Sequence, residues 1–385
     1  MDQKGEIQNS SNEEMGLKVG PIVLMPDIEK RHLATLFFGA FFGIASMAFV
    51  NVFNYSIFSA LELPEDQFGR LAGSLTAVQE VVVVSVIGFF GALSDKVGRR
   101  IVYSMGFFLL GIGYFIYPLA DNMTELLFFR IFVALGCAAN TVMLPTVAND
   151  YVHNSTRGRL IAFTSILNGL GLVLIISTFR NFATFYEQLE APEFLMNLGY
   201  DSANWAQYTF WSASAMVFIV SIVLYLNLKK GTAEATAKKD SYFSTLKVAI
   251  KEAKNPRVAL AYTAGIVSRG DLAVVSTFFA LWLGIEFQSL GMSKPEAQKM
   301  AALLYVAVQA CAIPGALLIN FFIDKFDRVV ALAISMAIAA TGYLYLGFID
   351  DVTGYEMYIG VGLLGLGEIF ANISAILLIG TVAPV

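Results

Sequence analysis

Ten long apolar segments, separated by short polar connections, limit what this chain can fold into more than any other feature. A helix that crosses the hydrocarbon core of a bilayer needs about 20 predominantly apolar residues. The segments that reach this length are residues 33–60, 68–93, 100–119, 124–149, 159–183, 206–228, 257–286, 296–323, 329–348 and 354–383. We therefore predict an all-α membrane protein with about ten transmembrane helices.

The composition excludes several other classes of protein. Hydrophobic residues make up 57% of the 385 residues and charged residues only 14%, whereas soluble domains carry roughly 25% charged residues. The chain has no basic face with aromatic readers, so nucleic acid is not a predicted partner. Cys137 and Cys311 lie inside apolar segments, which argues against a disulfide framework.

The connections between the segments alternate in charge. The basic connections contain Lys96, Arg99 and Arg100, then Arg157 and Arg159, then Lys325 and Arg328. The connections between these are acidic. By the positive-inside rule the basic connections face the cytoplasm. We predict an integral, multi-pass protein of the cell (inner) membrane whose N-terminal tail, residues 1–31, is cytoplasmic; that tail lacks the features of a signal peptide.

Residues 229–256 form the longest connection, which is rich in lysine and falls on the cytoplasmic side. Asp240 or Ser241 can cap a helix whose apolar face holds Phe243, Leu246 and Ile250. Such a helix would lie on the membrane surface. A flexible connector is the alternative, and the sequence leaves both open.

A short motif occurs twice in the chain. DKVGR at residues 95–99 recurs as DKFDR at residues 324–328, and each copy follows the second apolar segment of its half. Parallel repeats on either side of a linker are typical of some transporter folds. We predict two pseudo-repeated halves, a six-helix bundle at residues 32–228 and an incomplete bundle of about four helices at residues 257–385.

The first copy carries a resemblance to a known family. GALSDKVGRR at residues 91–100 matches every defining position of the loop motif G-x-L-x-D-(R/K)-x-G-(R/K)-(R/K) of the major facilitator superfamily, between the second and third spans as in that family. Arg130 and Gly136 partly match the family's pattern in the fourth helix. Asp150, followed by RGR at residues 157–159, looks like the family's loop after that helix. Nearly the whole chain resembles a major facilitator transporter.

The resemblance implies a transporter that alternates between inward- and outward-open states. It assigns the role of a conformational latch to Gly91, Asp95, Lys96, Gly98, Arg99 and Arg100, and to Asp324 and Arg328 of the repeat. In the family, the acid at the position of Asp95 is held near the start of the eleventh helix, whose N-terminal dipole favours an anion. The family usually has twelve helices, so we expect this sequence to lack the last two.

Ionisable side chains inside the predicted spans are candidates for a substrate or proton pathway. A charge at membrane depth costs roughly 3 kcal/mol on insertion scales and needs a partner or a watery cavity. Glu80, Arg269, Asp271 and Glu368 lie near mid-depth, and Arg130 lies nearer the outer end of its span, where a long stem can reach the interface. Arg269 and Asp271 are roughly 200° apart around a regular helix, so each is expected to find its partner on another helix unless Gly270 locally breaks the span.

Two interpretations of this set stay open. In the functional interpretation the mid-depth residues surround a central cavity, and a carboxylate carries a transported proton. In the structural interpretation they form salt bridges between helices. Asn51, Asn54, Asn140 and Gln309 are weaker candidates, because amides inside a membrane bundle serve equally well to bind substrate or to join helices.

These observations predict a secondary active transporter for a small polar or anionic metabolite, with protons as the coupling ion, acting as a monomer in the lipid bilayer. The fifth span lacks the Gly-Pro motif typical of the family's antiporters, which favours symport over the alternative of a proton-driven drug or metabolite exporter. A transporter-like membrane sensor or assembly component is the alternative from another class. The chain shows no nucleophile–base arrangement and no phosphate-binding glycine loop, so no enzyme activity, metal site or cofactor is predicted.

Overall fold

The computed structural model describes residues 17–190, 196, 199–231, 251, 253–311, 314–315, 318–319 and 326–382, and helices dominate there. A two-stranded antiparallel sheet, β1 (Lys18–Val19) and β2 (Ile22–Val23), precedes them. The helices are α1 (Lys30–Val52), α2 (Asn54–Ala60), α3 (Glu65–Val97), α4 (Arg99–Ile116), α5 (Met123–Tyr151), α6 (Arg157–Gln188), α7 (Trp205–Asn227), α8 (Pro256–Val274), α9 (Ala280–Ser289), α10 (Lys294–Ala310), α11 (Arg328–Leu346) and α12 (Tyr355–Val382). Short 3-10 turns lie at Tyr117–Leu119, Asn154–Thr156 and Ser202–Asn204.

Within the described ranges, eight helical stretches are long and apolar enough to cross a membrane. They coincide with the first six predicted spans and with the ninth and tenth. The seventh predicted span corresponds to the run from α8 to α9, and the eighth begins in α10 and continues outside the described residues. The total of ten therefore stays a prediction, as does the interpretation of the linker, most of which lies outside the described residues.

The seventh predicted span is irregular, but not at Gly270, which α8 passes through as regular helix. A π-helical turn, Val275–Phe279, instead joins α8 to α9. A π-turn inserts an extra residue into the hydrogen-bond ladder and shifts the register of the side chains that follow it, and such turns are frequent at functional sites. The residues after the turn therefore face directions that a regular 3.6-residue period does not predict.

Several helices begin with side-chain caps. The Asn122 side chain accepts a hydrogen bond from the Glu125 amide at 3.1 Å at the start of α5, and the Asp327 carboxylate accepts one from the Val329 amide at 3.0 Å at the start of α11. Ser293 and Glu296 form a reciprocal capping box at the start of α10. Each cap satisfies amides that the first turn of a helix leaves unbonded.

The chain divides into two compact units that interleave along the sequence. Unit 1 comprises residues 1–47, 77–175 and 210–236. Within it α4 packs against α5 at very short range: a Cβ added to Gly136 would lie 2.7 Å from the carbonyl oxygen of Gly106. Small residues permit such close backbone approach and are a common device of helix packing in membranes.

Unit 2 comprises residues 48–76, 176–209 and 237–385. Within it α11 and α12 pack as closely as α4 and α5 do. A Cβ added to Gly367 would lie 2.4 Å from the backbone of Ala339. The unit combines segments from both sides of the predicted linker, so its limits are not those of the predicted halves. The division into six plus four helices stays a prediction.

Part of the predicted N-terminal tail has regular structure. Residues 17–29 form the β1–β2 hairpin and, before α1, a turn in which the Ile28 amide donates to the Met25 carbonyl at 3.0 Å. The hairpin turns at Gly20, whose φ of 56° lies in the left-handed region that glycine adopts without strain. The apolar side chains of Ile22, Leu24 and Ile28 are buried.

Candidate functional site

The loop motif predicted to act as a latch forms one cluster in unit 1. Gly98 alone separates α3 from α4 and has a φ of 100°, which a side chain would make costly. This sharp reversal brings Arg99, at the start of α4, back toward the end of α3. The conformation explains why a glycine stands at this position of the motif.

Arg99 lies between two carboxylates. Its Nη1 is 2.5 Å from the Asp95 carboxylate, and its Nε is 3.0 Å from the carboxylate of Asp150 at the end of α5. It also donates a hydrogen bond to the Ser94 hydroxyl, which in turn donates to the Gly91 carbonyl at 2.7 Å. We call Asp95, Arg99 and Asp150 the ionic cluster; it joins α3, α4 and α5.

The remaining motif residues have separate surroundings. The Arg100 guanidinium lies 4.7 Å from the centre of the Tyr225 ring of α7, within the range of a cation–π contact. Lys96 is exposed, and a Cβ at Gly91 would meet Val142 at an ordinary 3.9 Å. Of the repeat, Arg328 begins α11 and is exposed, whereas Asp324 lies outside the described residues. The latch role of these residues stays a prediction.

The structure brings two of the predicted mid-depth acids together in unit 2. Asp271 of α8 and Glu368 of α12 lie close enough for their negative charges to repel each other. Glu368 is only 6% exposed, and Asp271 is half-buried. Two carboxylates inside an apolar bundle are costly when both are ionised, because the low dielectric strengthens their repulsion and water is scarce.

Neutral side chains bind both acids. The Gln309 amide of α10 donates to the two Glu368 carboxylate oxygens at 3.3 Å and 3.1 Å. The Tyr343 hydroxyl of α11 donates to Asp271, so the partner of Asp271 does lie on another helix. No described Lys or Arg side chain lies within ion-pair distance of either carboxylate. We call Asp271, Glu368, Gln309 and Tyr343 the acidic site.

The other predicted ionisable residues are placed as follows. Arg269 belongs to α8, two residues before Asp271, and its side chain is outside the described part of the structure. Glu80 and Arg130 belong to unit 1, on α3 and α5. Arg130 is 0% exposed, and its guanidinium lies 5.7 Å from the centre of the Tyr117 ring. The expectation that the Arg130 side chain extends to the membrane surface is therefore wrong, because its guanidinium is buried against the Tyr117 ring inside unit 1.

Two of the three predicted asparagines have contacts between helices. The Asn51 amide donates to the Ser276 hydroxyl of the π-turn at 3.4 Å, and Asn54 is fully buried. Asn140 is buried against α4, where a Cβ added to Gly106 would lie 2.3 Å from its side-chain oxygen. These contacts fit the interpretation that the amides join helices, and a role in substrate binding stays a prediction.

A set of neutral contacts in unit 2 was not foreseen from the sequence. Gln298 of α10, which is 0% exposed, accepts from the Ser56 hydroxyl of α2 at 3.0 Å and donates to the Val52 carbonyl of α1 at 3.1 Å. We call these three residues the Gln298 clasp. Nearby in unit 2, the Tyr55 hydroxyl donates to the Gln288 amide oxygen.

Comparison with known sequences assigns the family. The sequence profile of the Major Facilitator Superfamily matches residues 35–385, which is most of the chain. The chain belongs to the Major Facilitator Superfamily. This superfamily consists of transporters rather than enzymes, so the chain is an integral, multi-pass membrane protein of a family that moves small molecules.

Two magnetosome proteins of Paramagnetospirillum magneticum (strain ATCC 700264 / AMB-1) are among its relatives in the superfamily. MamH is 23% identical over 318 residues, a match that covers 80% of this chain and 69% of MamH. MamZ is 22% identical over 313 residues, which cover 78% of this chain and 45% of MamZ. This chain therefore spans less than half the length of MamZ.

The structure of the nucleoside transporter NupG shows the same fold. It superposes with a TM-score of 0.68 at 12% sequence identity, and the match covers 90% of this chain and 81% of NupG. An identity this low establishes the major facilitator fold and nothing about substrate. It confirms the fold class predicted from the sequence.

Sequence reasoning missed Tyr343 and the Gln298 clasp. Tyr343 lies in an apolar span that is rich in tyrosine and aliphatic residues, so nothing marks it as the partner of Asp271. Gln298 stands near the polar start of α10, where a buried amide is not expected. The sequence around Gln298 does not indicate that its side chain is buried. Only the packing of α10 against α1 and α2 reveals the contact.

Proposed function

We propose that this chain is a secondary active transporter that moves a small polar metabolite together with protons, and that the acidic site binds the coupled proton. The observation that carries the proposal is the pair Asp271 and Glu368, two mutually repelling carboxylates that are held by neutral side chains. Membership of a transporter superfamily supports the transport function itself.

Proton binding follows from the electrostatics of the pair. When one carboxylate takes up a proton, the repulsion between the two disappears and one charge no longer needs to be stabilised in an apolar bundle. Gln309 suits both forms of Glu368, because its amide group has donors for the ionised acid and a carbonyl that accepts from the protonated acid. The site can therefore load and release a proton without a partner charge among the described side chains.

The proposal includes the orientation and the class of substrate. We propose that the N-terminus is cytoplasmic, which the basic connections support through the positive-inside rule, and that the protein acts as a monomer in the cell (inner) membrane by alternating access. The two acids disfavour an anionic solute at this site, whereas a solute rich in hydroxyl groups can donate hydrogen bonds to them. An uncharged polar metabolite thus fits the acidic site better than an anion.

Proteoliposomes that contain a pH-sensitive dye test the coupling directly. Sugars, nucleosides and small carboxylates are added outside in turn, and proton entry is followed by the fluorescence of the dye. We expect at least one uncharged solute to acidify the lumen. Glu368→Gln, which keeps the shape and loses the titratable group, is expected to abolish that signal.

Glu356→Gln is the matched control, because Glu356 lies in the first turn of the same helix and is exposed. It is expected to transport like the wild type. Proton entry that persists in both Glu368→Gln and Asp271→Asn would overturn the assignment of the site. Alkalinisation of the lumen on addition of a solute would identify an exchanger, and no response to any solute would favour a sensor or assembly role.

A further inference from the structure

Residues 17–29, which we call the N-terminal strap, pair with the turn that joins α5 to α6. The Met25 amide donates to the Tyr151 carbonyl at 3.0 Å, and the His153 amide donates to the Val23 carbonyl at 3.0 Å. Leu24 and Val152 form the antiparallel bridge between these two bonds. The strap therefore pairs through a single β-bridge with the backbone that directly follows Asp150.

Side chains extend this pairing on both sides of the turn. The Val23 amide donates to the Thr156 hydroxyl at 3.2 Å, and the Arg159 guanidinium donates to the Pro21 carbonyl at 3.0 Å. Thr156 stands immediately before α6, and Arg159 lies in its first turn. The contacts thus tie the strap to α6 as well as to the end of α5.

The strap also reaches the end of α7. The Lys229 ammonium lies 3.4 Å from the Asp27 carboxylate, and the Lys229 amide donates to the Tyr151 hydroxyl at 3.1 Å. Tyr151 is therefore held through its carbonyl by Met25 and through its hydroxyl by Lys229. The residue next to Asp150 has little freedom to move.

Asp150 is the member of the ionic cluster that directly precedes the turn bound by the strap. Its carboxylate is partly exposed, and a partly exposed ion pair is weak when its side chains must be ordered for the pair to form. A carboxylate that is already held in place loses less freedom on pairing, and the pair becomes correspondingly stronger. A rigid backbone at residues 150–153 supplies that preorganisation.

We propose that the N-terminal strap is a positioning element that holds Asp150 against Arg99, so that docking of the strap stabilises the loop between α3 and α4. In this arrangement a segment outside the helical bundle controls the order of the latch motif. Release of the strap would loosen residues 94–100 without any change to the motif itself.

Hydrogen–deuterium exchange of the full chain in detergent tests the proposal. Leu24→Asp places a charge at a side chain that is 1% exposed and should release the strap, whereas Leu17→Asp, at a position that is 47% exposed, is the matched control. We expect exchange at residues 149–156 and at residues 94–100 to become roughly tenfold faster in Leu24→Asp, because local opening becomes easier. Leu17→Asp should leave both segments unchanged.

Thr156→Val is a milder second variant in case Leu24→Asp does not fold. It removes the hydroxyl that binds Val23 and keeps the size of the side chain, so it should accelerate exchange in the same two segments to a smaller degree. Faster exchange at residues 149–156 with unchanged exchange at residues 94–100, in either variant, would overturn the proposal. The strap would then cover the turn without positioning Asp150.

Discussion

The ionic cluster of unit 1 and the Gln298 clasp of unit 2 join helices in opposite ways. The ionic cluster uses charged side chains that remain partly exposed, since the side chains of Arg99 and Asp150 keep 18% and 35% of their accessibility. The Gln298 clasp uses an amide, a hydroxyl and a backbone carbonyl, and Gln298 is fully buried. The ionic cluster therefore joins charged groups near water, and the Gln298 clasp joins neutral groups away from water.

This difference in burial determines how much free energy is lost when each contact opens. Water and salt screen a partly exposed ion pair, and both partners are solvated again when it opens. A buried amide that loses its partners leaves polar atoms without hydrogen bonds in an apolar surrounding, which is costly. The ionic cluster is therefore suited to opening and closing, and the Gln298 clasp to holding helices together while it is formed.

The largest effect is expected for Gln298→Leu, which removes both hydrogen bonds at nearly constant volume. We expect the free energy of unfolding in detergent to fall by about 1–3 kcal/mol, because the Ser56 hydroxyl and the Val52 carbonyl lose their partner. Reversible unfolding followed by circular dichroism measures the change. Lys299→Leu, at the neighbouring half-exposed position, is the control. An equal loss in both variants would mean that the Gln298 clasp contributes nothing of its own.

A smaller effect is expected for Ser56→Ala, which removes one of the two bonds. The loss should be about 1 kcal/mol. Ser59→Ala is the matched control, because Ser59 is buried one turn later in the same helix and takes no part in the Gln298 clasp. Since Ser56 and Gln298 interact directly, the double variant should lose less than the sum of the single losses. Additive losses would break the assignment.

The smallest effect is expected for Asp150→Ala in the ionic cluster. The loss should stay below about 1 kcal/mol, the upper end for exposed ion pairs. It should shrink further when salt rises from about 0.1 M to about 1 M, since the Debye length falls from about 10 Å to about 3 Å. Gln298→Leu measured in the same two salt concentrations is the control and should not change. A salt-independent loss at Asp150 would remove the distinction between the two regions.

Much of the fold was predictable because it depends on local properties of the sequence. Runs of about 20 apolar residues are long enough to span a bilayer wherever they occur, and eight of the predicted spans coincide with long apolar helices among the described residues. The caps at Asn122 and Ser293 are equally local, since each side chain binds an amide three residues later. Such features need no knowledge of the rest of the chain.

The sequence predicted the two acids of the candidate site but not that they lie close together. The rarity of charge inside apolar spans singled out Asp271 and Glu368, but their proximity depends on how α8 and α12 pack. The period of α8 predicted a partner for Asp271 on another helix, yet it could not name Tyr343, which is 72 positions away in the sequence. Periodicity describes one helix at a time and carries no information about which helices meet.

The sequence by itself determined the membrane class and eight of the predicted spans, because apolar length acts over a few residues. Only the tertiary structure decided that two acids share one site, that Arg130 is buried on Tyr117, and that a predicted tail pairs with the turn after α5. Those contacts join residues far apart in the chain. They arise because buried polar groups need hydrogen-bond partners, and the packing of the whole fold decides which partners are within reach.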